Sequence, residues 1–371
     1  MSVRQSAEDA TVATRRDDIV KRSAAFCARF DLRLPILLAP MAGACPPSLS
    51  VAIANAGGLG ACGALLMQPD AIGKWVSEAR AGTNGAFQLN LWIPDPEPGR
   101  DQDQEIRVRS FLAKWGPAVP AEAGSVAMPD FHAQCEALLQ AGPAAVSSIM
   151  GLYPPSFVSR LKASGIAWFA TVSTVAEARA AEAAGADVIV AQGMEAGGHR
   201  GAFEAGRAEA ELVGLFSLLP LVADAVRVPV VATGGIADAR GIAAALILGA
   251  SAVQIGTGFL RCPEAKIAPA WADAIGRTPP EGTIITRAFS GRPGRSIVNA
   301  YVRAASAADA PSPAPYPIQR GLTGPMREQA TRTEDIDKMQ AWAGQSAALA
   351  RAEPAGELAR TLWAEARELL A

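Results

Sequence analysis

The 371-residue chain has only two histidines, His132 and His199, so any imidazole chemistry rests on one or both of them. Its five cysteines (Cys27, Cys45, Cys62, Cys135, Cys262) are odd in number and show no CxxC spacing. That pattern argues against a zinc site and against a disulfide framework, and it suits a reducing compartment. Lys and Arg total 34 against 36 acidic residues, for a net charge of -2, and they are scattered. A nucleic-acid surface needs clustered positive charge, so no nucleic-acid partner is expected. No run approaches the roughly 18 apolar residues of a membrane span, and the start, MSVRQSAEDATVATRRDD, lacks the apolar core of a signal peptide. The expectation is a cytoplasmic protein with no membrane partner; its oligomeric state stays open.

Half of the residues are hydrophobic, enough for a large core. The length exceeds one ordinary core, which predicts a large α/β barrel with an appendage or two domains. Residues 1–16 read as disordered, and apolar residues at Ile19, Val20, Phe26, Cys27 and Phe30 predict a helix that leads into the barrel and covers its closed end. Short apolar runs then alternate with helical segments. The runs are 34–39, 59–63, 86–93, 144–150, 166–172, 187–191, 228–232 and 252–255. Continuous apolar runs of this length suit strands buried on both faces. Thr174-x-x-Glu177 is a capping-box pattern opening the helix before the sixth run. Eight such units predict a (β/α)8 TIM barrel. The competing architecture is a doubly wound open sheet, but the first run is not followed by the GxGxxG turn that such a sheet uses for dinucleotides.

The proline-rich stretch 94–127 is too long for an ordinary connection and reads as an insertion or lid. Residues 263–330 lose the alternation and are read as a smaller substrate-binding domain over the barrel mouth. Segments 333–350 and 357–370 read as helices returning to the barrel. The expected division is thus 1–30 extension and helix, 31–262 barrel, 263–330 small domain and 331–371 returning helices.

Barrel sites lie at the C-terminal ends of the strands, and phosphate sites there favour the last two loops. Those loops hold Gly234-Gly235 and Gly256-Thr257-Gly258. Glycines let backbone N–H groups approach phosphate oxygens, and Thr257 adds a hydroxyl. The simpler reading is two tight turns. Sugar phosphates, nucleotides and flavin mononucleotide (FMN) would all fit a phosphate site. The neutral amides Asn90, Gln192 and Gln254 at three strand ends match the mixed donor and acceptor edge of an isoalloxazine ring. No carboxylate cluster is placed at the mouth, which argues against metal-assisted chemistry.

The loop after the sixth strand, AQGMEAGGHRG (191–201), carries His199 beside Gly197 and Gly198. His199 is the candidate for function, whereas His132, at a helix start, reads as surface structure. Cys45 and Cys62 lie near strand ends and read as small buried residues. Arg292 and Arg295 would either meet an anionic substrate or pair with acids.

Together with that loop, the runs APMAG (39–43), NAGGLGACG (55–63), FQLNLW (87–92), ATGGI (232–236), QIGTGF (254–259), SGR (290–292) and WAGQ (342–345) closely resemble the nitronate monooxygenase family, formerly called 2-nitropropane dioxygenases. The likeness covers most of 34–350, leaving out 1–30 and 94–127. It implies a TIM barrel with bound FMN. By position, Met41, Ala42, Asn90, Gln192, Gly197, Gly198, Gly234, Gly235, Gln254, Ile255, Gly256 and Thr257 would contact FMN. His199 matches the family's active-site histidine, either a base toward nitroalkanes or a holder of the anionic nitronate. The implied reaction is oxidation of alkyl nitronates of the propionate 3-nitronate type by O2. An NAD(P)H-dependent flavin reductase of quinones or enoyl thioesters shares the same loops, and a flavin-binding protein without turnover is the third reading.

Overall fold

The computed structural model describes residues 17–371; the stretch 1–16, expected to be disordered, lies outside the described residues. The chain opens with helix α1 (17–29) and strand β1 (Ile36–Leu38). The barrel continues through α2 (Pro47–Ala56), β2 (Gly60–Gly63), α3 (Pro69–Gly82) and β3 (Phe87–Trp92). Helix α4 (Gln102–Leu112) lies in the insertion, followed by α5 (Phe131–Ala141) and β4 (Ala145–Ile149). Next come α6 (Pro155–Ala163), β5 (Ala167–Val172), α7 (Val175–Ala183), β6 (Val188–Gln192) and the two-residue strand β7 (Gly198–His199). Helix α8 (Leu215–Ala225), β8 (Val230–Thr233), α9 (Ala239–Ile247) and β9 (Ala252–Ile255) complete the alternation.

Eight parallel strands run in the order β1-β9-β8-β6-β5-β4-β3-β2. The Leu38 N–H donates to Leu59 O at 2.9 Å and the Leu59 N–H to Ile36 O at 3.1 Å, which closes the sheet into a barrel. The expected TIM barrel is therefore present. Strand side chains alternate between the two faces. Ile36, Leu38, Trp168, Ala170, Ile189 and Val253 pack outward against the helices. Leu37, Phe169, Val188, Val190, Val231 and Ala252 fill the interior, joined by Phe26 and Phe30 of α1. The Phe30 and Phe169 rings lie 5.1 Å apart, so α1 plugs the closed end as the sequence predicts.

Further along the same strands, on the interior parity, the residues turn polar: Gln88 and Asn90, Ser147, Thr171, Gln192, Thr233 and Gln254, all buried. Buried polar groups need partners. Gln88 Nε2 donates to Gln254 Oε1 at 3.0 Å, Asn90 Nδ2 to Ser147 Oγ at 3.0 Å, and Thr233 Oγ1 to the Gln254 carbonyl at 2.9 Å. This layer is the floor of the barrel mouth.

Local sequence sets the outer helices. The capping box forms as the spacing predicts: Thr174 Oγ1 accepts from the Glu177 N–H at 3.1 Å and the Glu177 carboxylate accepts from the Thr174 N–H at 3.2 Å. Such a cap satisfies two otherwise open donors.

After β9 come α10 (Pro269–Arg277), β10 (Thr283–Thr286), β11 (Gly294–Ile297), α11 (Ala300–Ala305), α12 (Ile318–Leu322), α13 (Gly324–Arg332) and α14 (Ala355–Leu369). Strands β10, β11 and β7 form a small antiparallel sheet, with Gly294 opposite His199. The insertion packs on this region through Val108 and Leu112, which join Phe289, Tyr301, Leu322 and Met326 in one apolar cluster. Within the insertion, buried Glu105 accepts from Arg100 Nε at 2.8 Å and Arg109 Nη2 at 3.3 Å. Helix α14 packs against both α9 and α2 and fills the gap in the outer ring.

The segment 333–350 departs from expectation: it is irregular, with one short 3-10 turn at Ala347–Leu349. Tertiary hydrogen bonds take its backbone groups. Ala341 O accepts from the Ile297 N–H at 2.9 Å and the Gln345 N–H donates to Glu195 O at 2.9 Å. Bound outward at these points, the segment crosses the barrel mouth as an extended strap.

Candidate active site

A cavity of about 390 Å³ opens at the C-terminal ends of the strands. Met41, Ala42, Asn90, Gln192, Gly197, Gly198, His199, Gly234, Gly235, Gln254, Gly256 and Thr257 all line it. Ile255 does not. Its side chain is buried in the apolar shell between strands and helices, and its carbonyl accepts from the Ala39 N–H at 2.9 Å. Strand parity turns this side chain away, since neighbours of inward-facing Gln254 point outward.

Close packing explains several glycines. A Cβ on Gly63 would lie 2.6 Å from the Ala42 nitrogen, and one on Gly197 would lie 2.5 Å from the Gly344 nitrogen. Gly234 and Gly235 have φ of 104° and 72°, which side-chain-bearing residues rarely adopt. The strap completes this wall: the Gly344 N–H donates to Thr257 Oγ1 at 3.0 Å, and Ser346 Oγ donates to Gly235 O.

His199 sits on β7 between two indoles. Its ring centroid is 4.6 Å from that of Trp92 and 4.9 Å from that of Trp342, both near edge-on at 68° and 61°. Nε2 lies 2.7 Å from Ser290 Oγ. Burial pushes the imidazole down to about 3, and the Arg292 and Arg320 charges act in the same direction. The group is therefore neutral throughout the ordinary pH range.

The loop that carries it is braced from below. Gln192 Nε2 donates to the His199 carbonyl at 3.2 Å, and its Oε1 accepts from the Gly201 N–H at 2.8 Å. Arg200 is fully buried and donates to Gly193 O at 2.8 Å. Gln192 thus spends most of its amide on positioning. Gln254 gives its oxygen to Gln88, which leaves its own NH2 group for the cavity.

The charged residues lining the cavity are Arg320 and Arg327, with no Asp or Glu among the lining residues. Arg327 donates to Thr323 Oγ1, Gln340 Oε1 and Arg320 O. Burial lowers it to about 10, with the neighbouring Arg320 second. The Arg320 guanidinium makes no ion pair and donates no hydrogen bond among the described residues. Two adjacent cations without a carboxylate make the cavity attractive to anions.

Arg292 and Arg295 take the structural role. Arg292 pairs with Asp95 and donates to Ala202 O at 2.9 Å, while Arg295 donates to Met194 O at 3.0 Å and Thr283 Oγ1 at 3.0 Å. Cys45 donates to Ala39 O at 3.2 Å, and burial raises its thiol to about 12. Cys62 lies 3.7 Å from Met67 Sδ, its thiol likewise pushed up by burial. His132, on the first turn of α5, is outside the cavity. Trp92, Ser290, Tyr316, Arg320, Arg327 and Trp342 were not identified from sequence reasoning. SGR and WAGQ held two of them in plain view; an isolated arginine such as Arg320 carries no local signal.

Comparison with known proteins gives the family and the fold. The sequence profile of the nitronate monooxygenase family matches residues 26–365. The chain is 39% identical over 340 residues to a nitronate monooxygenase of Paraburkholderia phytofirmans, covering 90% of this chain and 92% of the relative. It is 38% identical to one of Pseudomonas aeruginosa, covering 91% and 97%. The structure of a nitroalkane oxidase from Streptomyces ansochromogenes superposes with a TM-score of 0.83 at 37% identity, covering 92% and 98%. FabK from Thermotoga maritima gives 0.72 at 28% identity, covering 93% and 96%. The chain belongs to the nitronate monooxygenase family and is an enzyme whose cofactor is a flavin.

Proposed function

We propose that the protein uses FMN to oxidise alkyl nitronates by O2, propionate 3-nitronate among them, giving the carbonyl compound and nitrite. One observation carries this reading. His199 stands in a cavity whose charged lining groups are Arg320 and Arg327, with no carboxylate among the lining residues, and burial together with the Arg292 and Arg320 charges disfavours its protonation. Such a site favours a substrate that arrives already anionic.

The residues present fit FMN. The glycine cradle leaves backbone groups open to a phosphate at Gly234, Gly235, Gly256 and Thr257. Asn90 and Gln254 would meet polar edges of the ring, with Met41 and Ala42 beside it. FMN held there would supply the redox chemistry between the electron-rich nitronate and O2.

The protein's own contribution is positional. Burial and the Arg292 and Arg320 charges lower the proton affinity of His199, which weakens it as a base toward a neutral nitroalkane. His199 therefore acts as a hydrogen-bonding group toward a preformed nitronate. Ser290 Oγ lies 2.7 Å from Nε2; with the Ser290 hydroxyl donating to that nitrogen rather than to the Arg292 carbonyl, the imidazole would carry its proton on Nδ1 and donate it to the nitronate. Trp92 and Trp342 exclude water on either side of the ring. Arg320 and Arg327 attract the nitronate charge, and a second anionic group where the substrate has one.

Anaerobic mixing of the flavin-loaded protein with propionate 3-nitronate, NADH and NADPH separately tests this. The flavin spectrum should change with nitronate, and nitrite should form when O2 is admitted. Rapid bleaching by a nicotinamide with no response to nitronate would make the protein a reductase instead.

A further inference from the structure

Beside the flavin cavity lies a second chamber of about 680 Å³. Leu65, Trp92 and Tyr316 face both spaces and form the wall between them. Most other lining residues come from the two ends of the insertion and the residues flanking them, Ile93–Arg100 and Gly124–Pro129, with Phe131 and Gln134 of α5 and Pro317 and Ile318 of the small region. The lining is mainly apolar, including Ile93, Val126, Met128, Phe131 and Ile318, and Pro94, Pro96, Pro98 and Pro129 hold its outline. Prolines fix φ and make such a wall preformed. Three charged residues line it: Asp95 pairs with Arg292, Arg100 pairs with Glu105, and exposed Glu97 makes no ion pair among the described residues.

We propose that this chamber receives the aliphatic tail of the substrate, so that the enzyme prefers nitronates with unbranched carbon chains long enough to pass the Trp92–Tyr316 wall. The inference deepens the proposed oxidation and rests on it for the position of the reacting head. Trp92 is the geometric link: its ring is 4.6 Å from His199 on one side and 5.4 Å from Tyr316 on the other. A chain attached to a nitronate at His199 meets this pair first. Tyr316 packs on Trp92 and is itself only partly buried. Its hydroxyl has a single weak contact, 3.8 Å from Met128 Sδ, whereas Trp92 is packed on the imidazole. The insertion acquires a role through this arrangement. It is packed on the small region through Val108 and Leu112, and it shapes an apolar space rather than swinging over the mouth.

The test is a chain-length series. kcat/KM is measured for ethyl-, butyl-, hexyl- and octylnitronate with wild-type enzyme and with Ala127→Trp, which places an indole in the chamber from an exposed position. Calorimetric binding of the matching neutral nitroalkanes is measured alongside. In wild type both quantities should rise with length, by up to about fourfold per methylene that leaves water. Ala127→Trp should flatten the rise, and Met128→Ala should extend it to longer chains. Values independent of length in wild type, or a rise that Ala127→Trp leaves intact, would overturn the proposal. A length-dependent binding gain without nitronate turnover would keep the chamber and reject the oxidation.

Discussion

The side-chain amide of Gln192 holds the carbonyl of His199 at 3.2 Å while accepting the Gly201 N–H at 2.8 Å. The strand end and the imidazole loop therefore move as one piece. Gln192→Ala should release the loop without emptying the cavity, lowering kcat about tenfold, in line with loss of a buried two-bond brace. Gln192→Glu keeps the acceptor and loses the donor, so it should retain more activity than Ala. Steady-state oxygen uptake with nitronate checks the order.

His199→Ala tests the assignment of a neutral positioning group. General-base removal costs on the order of 10²–10⁴ in rate. A hydrogen-bonding role for the half-buried imidazole predicts a smaller loss, about 10–100-fold, when nitronate is supplied. His199→Asn should recover part of it. Flavin content should remain near stoichiometric in both variants. A loss of 10⁴ with nitronate would identify His199 as an obligatory proton acceptor.

The depressed imidazole also sets a pH dependence. In the unfolded chain His199 titrates near 6.5, and in the folded protein it titrates near 3. Between those values the unfolded state binds more protons, so this group removes stability as pH falls from about 6.5 toward 3. Above 6.5 it contributes no pH dependence. Urea melts from pH 7 to 4 should show the loss in wild type and a smaller one in His199→Asn. kcat/KM for nitronate should show no inflection near 6.5.

Gly197→Ala would place a methyl group 2.5 Å from the Gly344 nitrogen and 2.6 Å from the Ala343 carbonyl carbon, both backbone atoms. The strap must shift, at a cost of about 1–3 kcal/mol. Because Gly344 also binds Thr257, the same variant should weaken flavin retention, which thermal melts with and without added FMN would separate from simple destabilisation.

Arg320→Met should remove an unpaired cation from the cavity. KM for nitronate should rise about tenfold or more with little change in kcat, the expected effect for a hydrogen bond to a charged partner. The remaining kcat/KM should lose part of its salt dependence.

The barrel was legible because burial on both faces leaves short unbroken apolar runs, and because glycine pairs punctuate the last two strands. The plug was legible from the spacing of Phe26 and Phe30. His199 was legible from rarity and its glycine neighbours. Where reasoning failed, tertiary partners decided. The segment 333–350 has helix-compatible composition, yet its backbone bonds go to Ile297, Glu195 and Thr257. Ile255 follows an inward residue and therefore faces the helices. Trp342 and Arg320 reach the site from more than 100 residues beyond His199, a proximity that no local pattern encodes.

Helix α14 fills the last place in the outer ring, between α9 and α2, and it follows the whole mouth region in sequence. During synthesis, the ribosome must therefore release β10, β11, the strap and their helices before the ring can be sealed. Domains generally fold as units once their contacts are available. Here the apolar flanks of α2 and α9 stay uncovered until the residues that roof the site have emerged. A nascent chain stalled ahead of residue 355 would expose those flanks to chaperones, so maturation of the scaffold and of the catalytic mouth becomes a single late event.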